Sequence, residues 1–172
     1  RIETFPDNLL ATATHDHKRG EDTRTRLAVL SECADWYAEQ VERWRQLAMP
    51  LKGEEPVISA GDELMLYQAL LGSWPLDLEG EHAHEDYAKR MVQWQEKALR
   101  EAKLQSSWSA PNQPYETACR EFLQRILLAP EALALRQSLS ATANRIATSG
   151  ALNSLPQTLL RLPGPGVPPL YH

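Results

Sequence analysis

Residues 11–24, ATATHDHKRGEDTR, bring together most of the side chains in this chain that could do chemistry. They hold two histidines, three acids and three bases within fourteen residues. In an adjacent pair such as His15 and Asp16, each charge influences the ionisation of the other, as it does in many catalytic sites. We therefore treat this stretch as a candidate site, with a purely structural surface pair as the open alternative.

Two His-containing stretches also raise the question of a metal. His15 and His17 alternate, so on a strand they would face the same side, as two metal ligands could. No thiol and no third ligand stand at a fixed spacing from them, so we predict no metal site and no cofactor. His82 and His84 have acids beside them and are typical of a solvated helix start, where acids interact favourably with the helix dipole.

The composition limits the class of protein. With 172 residues, 42% of them hydrophobic and 24% charged, the chain can form one globular domain with a core. A net charge of -5 argues against a nucleic-acid partner, and no apolar run is long enough for a membrane span or a signal peptide. Cys33 and Cys119 lie on helical patterns among apolar neighbours, so we expect buried thiols and a cytoplasmic protein.

The elements around the candidate site are predicted to be mainly helical. Residues 9–14 alternate Leu, Ala and Thr and predict a short strand that carries His15 and Asp16 into a polar turn. A helix should begin at about Glu21 and run to residue 49, either unbroken or as two helices with a bend near Ser31 or Asp35. Apolar spacings of three and four predict further helices over residues 59–71, 81–104, 115–127, 130–150 and 151–162, with Gly150 ending one of them. The Pro-rich residues 162–172 predict an extended segment.

The five tryptophans divide by their surroundings. Trp36, Trp44 and Trp94 lie on helical patterns, and Trp44 and Trp94 are most simply core residues. Trp74 and Trp108 lie in predicted loops, where an aromatic ring can pack against protein or stack on a sugar ring. We expect packing for both and leave the sugar-stacking alternative open.

Residues 8–27, NLLATATHDHKRGEDTRTRL, strongly resemble a segment of the maltooligosyltrehalose synthases, members of the alpha-amylase superfamily of glycoside hydrolases. The family's sequence at this place is approximately THDTKR, a small residue, then ED-x-R-x-R. The resemblance continues through residues 67–75, 97–103, 107–108, 114–116 and 165–172, so it spans nearly the whole chain. His17 replaces the usual Thr, Thr23 the usual Val, and Pro169 stands where an acid is common.

The resemblance implies an isomerase of trehalose biosynthesis, a glucan 1-alpha-glucosylmutase that converts the reducing-end α-1,4 bond of a maltooligosaccharide into an α,α-1,1 bond. Asp16 matches the family's transition-state-stabilising acid and His15 its neighbour. His17, Lys18 and Arg19 would adjoin them as substrate-binding residues. The nucleophile and the acid/base would come from earlier parts of such a protein, outside this chain.

The resemblance also implies a fold: mostly α, a helical subdomain inserted between the last two strands of a (β/α)8 barrel, with short extended segments at both ends. Residues 1–20 would form a strand end and the site loop, 21–162 the helical subdomain, and 163–172 a segment leading into the final strand. Because the chain lacks an initial Met and ends directly after a Pro-rich run, we expect a C-terminal fragment, inactive by itself.

The alternative function is an independent α-helical protein-interaction module without catalysis. Amphipathic helices and an acidic surface permit it. In that case the His-Asp pair would be an ordinary polar pair on the protein surface. The sequence leaves the oligomeric state open.

Overall fold

The computed structural model describes residue 13 and residues 17–53, 57–75, 78 and 80–162. Within these residues every regular element is a helix, which confirms the prediction of a mostly α fold. The α-helices are α1 (Glu21–Ala28), α2 (Ala34–Ala48), α3 (Ala60–Ser73), α4 (Glu81–Ala102), α5 (Gln113–Leu128) and α6 (Leu133–Arg161). The strand predicted over residues 9–14, apart from Ala13, and the extended segment over 163–172 lie outside the described residues.

The first helical stretch is divided in two, as the predicted bend allowed. A 3-10 turn over Val29–Cys33 separates α1 from α2. Ser31 Oγ donates to the Ala28 carbonyl at 2.7 Å, and such a bond competes with the helical hydrogen-bond pattern. Cys33 then leaves helical geometry, with φ -141° and ψ 44°, so α2 starts in a new direction.

The prediction that Gly150 ends a helix was wrong. α6 continues through Gly150 and also through Pro156 to Arg161. Gly150 is buried against α1, where an added Cβ would lie 2.7 Å from the Arg26 Cα atom. The glycine therefore allows two helices to cross closely. In the sequence alone, a glycine at a helix crossing cannot be distinguished from a glycine that ends a helix.

Two helix starts have the caps that their sequences favour. Ser59 Oγ accepts from the Asp62 backbone N–H at 3.1 Å and caps α3. The Asn112 side chain accepts from the Tyr115 N–H at 3.3 Å and caps α5, whose first turn tolerates Pro114.

The core lies where α3 is enclosed by the other helices. α1 packs against α6 and α3, α3 also contacts α6, and α4 packs along α5. Trp44 is fully buried and meets Tyr67 edge-to-face with ring centroids 5.5 Å apart. A smaller apolar cluster joins Leu99, Tyr115 and Cys119 between α4 and α5, which confirms Cys119 as a buried thiol. Burial raises the pKa of that thiol to about 12, so it is inert at neutral pH.

Candidate functional site

The backbone that follows the His15–Asp16 pair is fastened to two helices. We call residues 17–20, which lead into α1, the site loop. Trp94 Nε1 on α4 donates to the Lys18 carbonyl at 2.7 Å. Arg19 Nη2 donates to Gln68 Oε1 on α3 at 3.0 Å. Each bond joins the loop to a helix far away in sequence, so the helices determine where the loop lies.

A third contact joins the Lys18 side chain to α4. Lys18 Nζ lies 2.5 Å from Glu101 Oε2, with 27% and 37% of the two side chains exposed. Partly exposed ion pairs of this kind contribute little to stability, on the order of 0–1 kcal/mol. The hydrogen bonds of the Lys18 carbonyl and of Arg19 are therefore the stronger constraints on the loop.

The helix that follows the loop is held just as closely. Arg26 Nη1 donates to the Trp74 carbonyl at 3.0 Å and to the Leu71 carbonyl at 3.4 Å, at the end of α3. Thr23 Oγ1 donates to the Gly72 carbonyl at 3.3 Å. These bonds satisfy carbonyls that α3 leaves without intrahelical partners at its C-terminus, and they fix α1 against α3.

A surface pocket of about 220 Å³ opens beside the site loop. Its walls combine cationic, aromatic and hydroxyl groups, contributed by Lys18, Arg19, Thr23, Ala69, Ser73, Tyr87, Arg90, Met91 and Trp94. The Tyr87 hydroxyl lies 2.9 Å from Ser73 Oγ, and burial raises its pKa to about 12. The hydroxyl is therefore neutral at physiological pH, and the pocket offers hydrogen-bonding groups around an aromatic wall.

Three of the five predicted site residues lie in the described part of the chain. His17 is exposed, and Lys18 and Arg19 line the pocket. His15 and Asp16 lie outside the described residues, so the predicted catalytic pair keeps its status as a prediction. Within the described ranges no group of three His, Cys, Asp or Glu side chains could hold a metal ion.

The tryptophans of the two loops have different environments. Trp74 is buried and meets Tyr87 edge-to-face at 5.9 Å, as the packing interpretation predicted. Trp108 is 53% exposed, and the Arg100 guanidinium lies 4.9 Å from its ring centroid. Trp108 thus packs against protein through a cation–π contact while much of its ring stays accessible to solvent.

Sequence reasoning missed the residues that hold the site loop. Trp94 was assigned to the core, and Gln68 and Glu101 received no role. Gln68 and Glu101 do fall inside two of the stretches that carry the family resemblance, residues 67–75 and 97–103. That overlap was the signal available in the sequence.

None of the helices in the described part of the chain is long and apolar enough to cross a bilayer.

Comparison with known sequences supports the resemblance. No protein-family model matches the chain. A putative maltooligosyl trehalose synthase from Mycobacterium tuberculosis is 34% identical over 172 residues, which is 100% of this chain and 21% of that protein. The chain therefore spans about one fifth of the length of the curated relatives that it matches.

Solved structures agree with the sequence comparison. A hypothetical maltooligosyl trehalose synthase from Sulfolobus tokodaii superposes with a TM-score of 0.76 and 29% identity, over 96% of this chain and 21% of that one. A second crystal structure of a maltooligosyl trehalose synthase gives a TM-score of 0.75 and 30% identity, again over 96% and 21%. The resemblance is confirmed: in sequence and in helical architecture, this chain matches a segment of maltooligosyl trehalose synthases.

Proposed function

We propose that this chain is part of a maltooligosyltrehalose synthase, which rearranges the reducing-end α-1,4 bond of a maltooligosaccharide into the α,α-1,1 bond of a terminal trehalose unit. The observation that carries the proposal is the match along the whole chain to a segment of proteins with that name, at 34% identity. It disfavours the alternative of an independent interaction module, because the matched relatives are enzymes about five times longer.

The reaction would be a retaining transfer within one substrate molecule. A carboxylate attacks the anomeric carbon, a carboxylic acid protonates the leaving oxygen, and the released glucose then re-attacks through its own anomeric hydroxyl. Water has to be kept out, because hydrolysis competes for the same intermediate. The nucleophile and the acid/base would come from parts of the longer protein that these 172 residues do not include.

Asp16 would be the third acid, which holds sugar hydroxyls and stabilises the oxocarbenium-like transition state. His15 and His17 would contact the substrate beside it. Lys18 and Arg19 would do so at the edge of the pocket, where the cationic and aromatic lining can bind hydroxyl groups. In keeping with these roles, the site loop is held by direct bonds to α3 and α4.

In the longer protein, the described helices would form a subdomain inserted between the last two strands of a (β/α)8 barrel. Residues 1–20 would supply the end of one strand and the site loop, residues 21–162 the subdomain, and 163–172 the approach to the final strand. Cys33 and Cys119 form no disulfide, which fits a reducing compartment such as the cytoplasm.

The proposal is tested in the full-length parent by Asp16→Asn, with loss of reducing ends from a maltooligosaccharide as the readout. The substitution keeps the shape of the side chain and removes its charge. We expect the turnover rate to fall about a thousandfold, or about 4 kcal/mol of lost transition-state stabilisation, with substrate still bound.

A matched control is Asp35→Asn, which removes an exposed acid in the first turn of α2 and should leave turnover unchanged. Near-wild-type turnover in Asp16→Asn would contradict the role of Asp16. The 172-residue chain by itself should give no trehalose-terminated product, because it would contain one of the three acids.

A further inference from the structure

We infer that Trp94 is a positioning residue for Asp16: its indole N–H holds the Lys18 carbonyl, and through it the backbone that carries the acid. The inference rests on the proposed function. Trp94 would not touch the reacting atoms, and its effect on the reaction would come through the place of Asp16.

The Lys18 carbonyl is covalently close to Asp16. The Lys18 carbonyl belongs to the second residue after Asp16, and connectivity alone limits the separation of the two Cα atoms to roughly 7 Å. Fixing this carbonyl therefore limits the space in which the Asp16 backbone can lie to the reach of two residues.

The Trp94 hydrogen bond constrains the loop backbone more than the neighbouring contacts do. At 2.7 Å the bond from Trp94 Nε1 to the carbonyl is short for an N–H donor, and the indole is half-buried. The Lys18–Glu101 ion pair is partly exposed, and solvent screens it. Arg19 is bonded to Gln68 through a long flexible side chain, so it restrains the loop backbone less directly. Trp94 bonds the loop backbone directly, and from a stiff side chain.

The helix that carries Trp94 is itself held firmly. Trp94 lies in the 22-residue helix α4, which packs along α5 and contributes Tyr87 and Met91 to the main core. Its ring also forms a wall of the pocket beside the loop. A helix held on several sides transmits its position to the carbonyl and gives the loop one well-defined place.

The expected consequence concerns turnover more than binding. A shift of about 1 Å in a catalytic group can cost about a hundredfold in rate. A misplaced Asp16 stabilises the transition state less, whereas a maltooligosaccharide is also bound at sites remote from the reacting bond. Loss of the Trp94 bond should therefore lower kcat, change KM little, and raise the share of substrate lost to hydrolysis.

The test is Trp94→Phe in the full-length parent, with Trp44→Phe as the matched control. Both substitutions remove an indole hydrogen bond and keep an aromatic ring. Trp44 Nε1 donates to Ser138 Oγ on α6 at 2.9 Å and not to the site loop. For each variant, kcat and KM for isomerisation, the ratio of hydrolysed to isomerised product, and Tm are measured with a maltooligosaccharide substrate.

We expect Trp94→Phe to lower kcat at least tenfold, to keep KM within about twofold, and to raise the hydrolysed share. Trp44→Phe should keep kcat within about twofold even if its Tm falls as far or further. Equal kcat values in the two variants would overturn the inference, and so would a purely KM effect of Trp94→Phe.

If Trp94→Phe does not fold, Gln68→Met supplies the second variant. It removes the acceptor of Arg19 on the other side of the loop, at a half-buried position, and keeps a side chain of similar length. We expect Gln68→Met to lower kcat as well, by less than Trp94→Phe, and to leave KM unchanged. An unchanged kcat would contradict the claim that the helices position the loop.

The two proposals fail in different ways. A wild-type parent that removes no reducing ends would refute the proposed function, and the positioning role with it. The positioning role alone would be refuted by a different pair of results. In that case Asp16→Asn inactivates an active wild type, but Trp94→Phe behaves like Trp44→Phe.

Discussion

Gly150 and Gly61 both lie inside helices, but their surroundings differ. A Cβ at position 150 would lie 2.7 Å from the Arg26 Cα atom, closer than nonbonded carbons approach. A Cβ at position 61 would meet only Ser59 Oγ, at 3.9 Å. The backbone of α1 cannot move away from α6 without disturbing the bonds from Arg26 to the end of α3.

We expect Gly150→Ala to lower the free energy of unfolding by about 1–3 kcal/mol, because the methyl group forces α1 and α6 apart. Gly61→Ala should leave it unchanged or raise it by up to about 1 kcal/mol, since alanine is the better helix former. Urea unfolding of the chain measures both. A neutral Gly150→Ala variant would mean that the crossing is looser than the structure indicates.

At the scale of elements, a buried carboxylate joins α4 to α5. Arg100 donates from Nε and Nη2 to the two oxygens of Glu116, each at 2.8 Å. Ser106 Oγ donates to the same carboxylate at 2.5 Å and accepts from the Asn112 backbone N–H at 3.0 Å. The Glu116 side chain is only 6% exposed, so one acid fixes the end of α4, the start of α5 and the loop between them.

This network predicts a pH dependence. The hydrogen bonds from Arg100, and then those from Ser106, hold the pKa of Glu116 below its ordinary value of 4.5. Because the folded protein favours the ionised form more than the unfolded chain does, the stabilisation is complete above about pH 4.5 and is lost as the pH falls through the lower, folded-state pKa.

Glu116→Gln should therefore destabilise the protein at pH 7, by about 1.5–3 kcal/mol for the lost charge-assisted bonds, and less at acidic pH. Glu121→Gln is the control on the same helix, because its ion pair with Arg125 is about half exposed and should contribute little. The free energy of unfolding measured from pH 3 to pH 7 checks the prediction, and parallel pH profiles for the two variants would contradict it.

At the scale of the whole molecule, the last part of α6 presents an apolar surface to solvent. Leu152, Leu155, Leu159 and Leu162 recur at spacings of three and four, so they form one stripe, and between 61% and 79% of each residue is exposed. Contiguous apolar surface of this kind promotes association unless further protein covers it.

We expect the isolated 172-residue chain to associate reversibly through this leucine stripe. Leu155→Ser combined with Leu159→Ser should shift the chain toward monomer in sedimentation at equal concentration. Leu104→Ser, which changes a single leucine that is 80% exposed and lies outside the stripe, should not. An unchanged oligomer distribution in the double variant would show that the stripe is not the contact.

Most of the local structure follows from the pattern of side chains along the chain. Helix positions followed from apolar residues at spacings of three and four, and the start of α1 at Glu21 followed from acids that favour a helix N-terminus. The burial of Trp44 and Cys119 was predictable from the same periodicity. The family resemblance was also carried by the sequence alone, as was the hypothesis for His15 and Asp16, which stays a prediction.

Tertiary structure decided which faces meet. The bonds that hold the site loop join Lys18 to Trp94 and Arg19 to Gln68, across 76 and 49 residues of sequence. Periodicity tells which side of a helix is apolar, but it does not tell which partner approaches that side or how closely. For this reason Gly150 was misjudged as a helix stop, and Trp94 was placed in the core with no sign that its polar edge holds the site loop.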